Sequence, residues 1–119
     1  MQMKLCESDH RFMSVVWDHE PVSSGELVAL CSEKLGWKKS TTYTVLKKLC
    51  DKGFVQNEGS RVTSQIPRDE VQVFESGYVI DNSFGGSLPA FVAAFTRGRK
   101  ISVEEAEEIR RLIDQIEEG

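Results

Sequence analysis

Between Gly36 and Phe54 the chain reads GWKKSTTYTVLKKLCDKGF. Ammonium groups, hydroxyls and a phenol follow one another here at helical spacing. Such groups neutralise phosphates and hydrogen-bond to phosphate oxygens or base edges, which is the chemistry of a double-stranded DNA reader. Six of the eight lysines lie between Lys34 and Lys52, where Asp51 is the single acid, although the whole chain carries a formal charge of −4. The halves differ too: residues 1–66 hold nine Lys/Arg against eight Asp/Glu, whereas residues 67–119 hold six against eleven. Net charge argues against a polyanionic partner, and local charge argues for one.

Placed on a helix from Lys39 to Lys52, Thr42, Val45, Leu46 and Leu49 fall on the side a core needs. Ser40, Thr44, Lys47 and Asp51 fall opposite, with Thr41 and Lys48 on one flank and Tyr43 on the other. The candidate DNA contacts are therefore Lys38, Lys39, Ser40, Thr41, Tyr43, Thr44, Lys47 and Lys48, joined by Arg61 from a later turn. A solvated lysine face would look the same in isolation. What favours DNA is the place of this helix, third in order and followed by a hairpin.

The preceding elements follow from periodicity and punctuation. Residues 8–19 place Phe12, Val15 and Val16 on one stripe, widened by Met13 and Trp17, and Glu20-Pro21 ends that helix. Ser23 and Glu26 have capping-box spacing for a second helix with Leu27, Leu30 and Cys31 inward, ending near Gly36. Phe54–Gln56 and Val62–Ile66 read as strands around a turn at residues 57–61. The expected fold is mostly α with a small β-hairpin wing, a winged helix-turn-helix over residues 1–67. A helical region follows over 68–119: a helix at 68–82 carrying Val71, Phe74 and Tyr78; a short one capped by Ser87; a polar loop at Thr96–Lys100; and a last helix opened by Ser102 and Glu105.

Other chemistries find little support. Cys6, Cys31 and Cys50 are too far apart for a C-x-x-C site, and His10 and His19 fall on opposite sides of one helix, so no metal or other cofactor is expected. Neither histidine has a nucleophile setting, and Gly85-Gly86-Ser87 lacks the lysine of a phosphate loop, so an enzyme is not expected. Without an apolar run near the roughly 18–20 residues of a membrane span, the expected setting is cytoplasmic, with no membrane partner. The rival reading is a winged helix used only for protein contacts, against which the lysine–hydroxyl face speaks.

The segments LCESDHRFMSVVWDHEPVSSGEL and GWKKSTTYTVLKKLCDKGFV, with FGGSLPAFVAAF further on, resemble the penicillinase-repressor family, the BlaI, MecI and CopY type. Gly36, Trp37, Thr41, Tyr43, Thr44, Leu46, Lys48, Leu49, Lys52 and Gly53 meet the family pattern at the third helix. The resemblance implies a transcriptional repressor acting as a homodimer on a palindromic operator, with intertwined C-terminal helices that make residues 68–119 the dimerisation domain. Phe84, Leu88, Phe91, Val92, Phe95, Ile109, Leu112, Ile113 and Ile116 are the apolar positions expected at that dimer interface. Two departures stand out. No cysteine follows Cys50, unlike the copper-responsive branch, and Ala94-Phe95 stands where the β-lactam branch has a cleavable Asn-Phe bond. Relief of repression is left to an unidentified protease or effector; the basic 96–100 stretch is either a plain link between two helices or an accessible place to cut.

Overall fold

The computed structural model describes residues 3–118. Six helices and three short strands follow in the order α1 (Glu7–His19), β1 (Val22–Ser23), α2 (Ser24–Leu35), α3 (Lys39–Asp51), β2 (Val55–Glu58), β3 (Arg61–Ser64), α4 (Arg68–Ser83), α5 (Leu88–Gly98) and α6 (Val103–Glu118). The chain divides into two compact units with the boundary between Gly77 and Tyr78, inside α4.

The first unit is a winged helix built on one apolar core. Phe12, Met13 and Val16 of α1, Leu27 and Cys31 of α2, and Leu46 and Leu49 of α3 are all buried, and Val55 and Val62 of the sheet close the core together with Phe54 just before β2. The periodicity of each helix accounts for this: the inward positions recur every three or four residues and leave the polar side outside. Ser23 caps α2, accepting from the Glu26 amide at 3.1 Å while its hydroxyl meets the Glu26 carboxylate at 3.2 Å. At the other end Gly36 takes a left-handed φ of 70°, which lets its own N–H and that of Trp37 return to the carbonyls of Ser32 and Cys31. That sharp exit sets the angle between α2 and α3. Trp37 then stacks on Phe12, with ring centroids 6.2 Å apart and planes 7° from parallel.

Three features depart from the sequence-based expectation. The sheet has three strands in the order β1-β3-β2, because Val22 and Ser23 pair with Val62 and Arg61. The wing turn is tighter than a five-residue loop: Glu58 pairs with Arg61, so only Gly59 and Ser60 are left outside the ladder, at φ 60° and 65°. These angles match a primed two-residue hairpin turn. The Ser60 carbonyl accepts from the Ser24 amide at 2.8 Å, so the start of α2 holds the turn. Lastly, α5 continues through Thr96, Arg97 and Gly98, which shortens the expected polar loop to residues 99–102.

The first half of α4 packs with the winged helix. Val71 is fully buried, the Arg68 guanidinium meets Asp18 at 2.7 Å and lies over the Trp17 ring, and His10 and Glu75 approach to 3.3 Å. In the second unit, Ser87 and Ser102 cap α5 and α6 by accepting from Ala90 and Glu105 amides. No residue of α5 or α6 with a described side chain is buried. Among the described residues no helix is long and apolar enough to cross a membrane.

Candidate nucleic-acid interface

The candidate surface is the outer side of α3 and the wing. Thr42, Val45, Leu46 and Leu49 are buried, which turns Ser40, Thr41, Tyr43, Thr44 and Lys47 outward, all exposed. Lys38 and Lys39 are exposed at the start of the helix, and Arg61 is exposed at the base of the wing turn. The Thr44 hydroxyl donates to the Ser40 carbonyl at 2.9 Å, so it offers outside partners its lone pairs and its methyl group. Beside Arg61, Gln56, Glu58 and Thr63 line a shallow cavity on the wing. Glu58 puts one carboxylate there, held by the Gln56 amide at 2.6 Å.

The start of α3 has a feature that helical periodicity does not reveal. Its N-cap is Lys38, which makes no side-chain capping bond, and its first turn contains no acidic residue. The first-turn N–H groups of a helix lack internal partners and carry partial positive charge. A stable helix start normally places a hydroxyl or carboxylate there, as Ser23, Ser87 and Ser102 do for α2, α5 and α6. α1 also lacks a side-chain cap, but Glu7 and Asp9 occupy its first turn. At α3 two ammonium groups flank the open N–H groups instead. Positive charge at a positive helix end is locally unfavourable and becomes favourable once an external anion arrives. The signal was present in the sequence, as lysines where a cap is expected.

Lys48 is placed differently from its neighbours. Its Nζ lies 2.6 Å from Asp9 Oδ1 on α1, and the Asp9 side chain is only 2% exposed. Lys48 is the charged partner of this otherwise buried carboxylate oxygen. The adjacent carboxylate holds the Lys48 ammonium above the ordinary lysine range. Lys48 therefore reaches from its flank of α3 to α1, with its side chain 42% exposed. Nothing in the local pattern of α3 reveals a partner on another helix.

The apolar residues expected at a dimer interface belong to α5 and α6 or, for Phe84, to the turn between α4 and α5, all beyond Gly77. Phe84 and Phe91 are half-buried and meet edge to face at 5.3 Å, and Phe91 lies 6.2 Å from Phe95. Leu88, Val92, Phe95, Ile109, Leu112, Ile113 and Ile116 are exposed, up to 76% at Ile116. Among the described residues no group of three or more His, Cys, Asp or Glu is placed to hold a metal ion.

Similar chains are known. The penicillinase repressor of Bacillus licheniformis is 24% identical to the chain, covering 94% of it and 91% of that protein. The penicillinase repressor of Staphylococcus aureus is 20% identical, covering 97% and 94%. The methicillin resistance regulatory protein MecI of S. aureus strain Mu50 is 20% identical, covering 94% of each. Among solved structures, S. aureus MarR in complex with salicylate and kanamycin aligns at a TM-score of 0.48 and 16% identity, covering 96% of this chain and 72% of that one. The family model for the penicillinase repressor matches residues 5–115, and the chain belongs to that family.

Proposed function

We propose that the protein is a transcriptional repressor that binds double-stranded DNA as a homodimer, with α3 of each protomer in the major groove of one half of a palindromic operator. The observation that carries this reading is the start of α3, uncapped, free of acids and flanked by Lys38 and Lys39, with the hydroxyl face behind it. A helix end of this kind is suited to a backbone phosphate, and that contact would hold Ser40, Thr41, Tyr43 and Thr44 toward base edges. Lys47 and Arg61 extend the positive surface to flanking phosphates. Two copies supply what one lacks. The apolar faces of α5 and α6 are exposed in a single chain, and a second chain would bury them and tether two readers.

The test is a selection of bound duplexes from a random pool, followed by mobility shifts over a salt range. A recovered site with two inverted half-sites, and an affinity that falls with salt at a log–log slope of about −4 to −7 for roughly four to eight phosphate contacts, is the expected result. Binding without salt dependence, or no binding to any duplex, would leave the winged helix as a protein-contact module instead.

A further inference from the structure

Asp9 and Lys48 form the ion pair that joins the helix of the reading face to the helix behind it. Their geometry is unequal: the Asp9 side chain is 2% exposed, while that of Lys48 is 42% exposed. A buried carboxylate is unfavourable unless its cation stands at one particular place. The apolar contacts between α1 and α3 have no such demand, since burial of apolar area is non-directional and small shifts of packed side chains are tolerated. Lys48 also shares its helical face with Thr44 and Thr41, four and seven residues earlier. A pull on Lys48 toward α1 therefore sets the rotation of the stripe that carries both threonines.

We infer that the Asp9–Lys48 pair is a positioning device for the reading helix: it holds α3 in one rotation against α1 and so governs sequence discrimination, without Lys48 itself touching DNA. This rests on the DNA-reading function proposed above. Lys48 is a positioning residue, and its charge is spent inside the fold. Removing the pair should spare electrostatic attraction to any duplex and lose the ability to tell one duplex from another.

Two variants of the full chain separate this from a phosphate contact and from simple stability. The Asp9→Leu/Lys48→Met double variant replaces the pair by apolar groups, an exchange that is often neutral or stabilising. Asp9→Asn alters α1 alone and leaves the lysine charge in place. Each is titrated with the duplex selected by the wild-type protein and with a scrambled duplex of the same composition, across a salt range. The selected-over-scrambled affinity ratio should fall by about tenfold in both, the scale of one lost base contact. The double variant's salt slope on the scrambled duplex should match wild type. For Asp9→Asn, scrambled binding should hold or tighten, because a cation is released. A slope flattened by about one unit per protomer in the double variant would make Lys48 a phosphate contact and overturn the proposal. A ratio unchanged in Asp9→Asn would overturn it too, and this variant decides alone if the double variant does not fold. Wild-type protein that binds neither duplex would sink the DNA-reading function itself, and this inference with it.

Discussion

The indole Nε1–H of Trp17 donates to the main-chain carbonyl of Ile66 at 3.0 Å, joining residues 49 positions apart. The same ring carries the Arg68 guanidinium 5.3 Å above its centroid, and that guanidinium meets Asp18. One side chain of α1 thus fastens the end of the sheet and the start of α4 to the winged helix. The Arg68 partner also holds the Asp18 carboxyl below the usual carboxylate range. Trp17→Phe keeps the apolar ring and removes the donor, leaving a carbonyl unpaired. The expected loss is about 1–3 kcal/mol of unfolding free energy. A lower urea midpoint at unchanged m-value would record it, and an unchanged midpoint would show that the bond contributes nothing.

The start of α3 predicts two separable effects on DNA. Lys39→Ala should weaken selected and scrambled duplexes alike and flatten the salt slope by about one unit per protomer. Thr44→Ala should spare the scrambled duplex and weaken the selected one by about 1–3 kcal/mol, the scale of a base contact. Mobility shifts on both duplexes at several salt concentrations distinguish them. Equal effects of the two substitutions on both duplexes would remove Thr44 from the reading face.

The exposed side of α6 predicts assembly. Ile109, Leu112, Ile113 and Ile116 share one face of an otherwise charged helix, and all four are exposed. Sedimentation at micromolar concentration should give a dimer, and Ile113→Asp should shift it to monomer by placing a charge in an apolar contact. A wild-type monomer that is folded would contradict the dimeric reading. Operator affinity of Ile113→Asp should fall steeply while the circular dichroism of the winged helix persists, because the second half-site is no longer tethered.

The continuation of α5 through Gly98 moves the expected site of proteolysis. Arg97 lies within the helix, whereas Arg99 and Lys100 lie in the link at 99–102 before α6. Proteases require a locally extended chain, so brief trypsin treatment should cut after Arg99 and Lys100 before Arg97. Mass spectrometry of the fragments would read the order. The nicked protein loses α6, and its operator affinity should drop toward that of a single winged helix. Full affinity and a dimeric state after the cut would exclude cleavage here as a means of relieving repression.

Much of the winged helix was legible because its signals are local. The inward positions of α3, Thr42, Val45, Leu46 and Leu49, follow from a 3.6-residue period and are all buried. Ser23, Ser87 and Ser102 announce the helices they cap, because a hydroxyl three residues before an amide is readable in one dimension. What tertiary structure decided was every feature that depends on a partner far along the chain. Val22 and Ser23 are too short a run to show strand periodicity and become a strand only when Val62 and Arg61 lie beside them. Thr96, Arg97 and Gly98 read as part of a polar loop, yet α5 continues to Gly98, its last residue, before Arg99 turns extended. Above all, Lys48 reads as one more lysine of the basic stretch, on a flank of the helix beside Thr41. It differs because the fold buries Asp9 within 2.6 Å of it, and a buried carboxylate takes the nearest ammonium for itself.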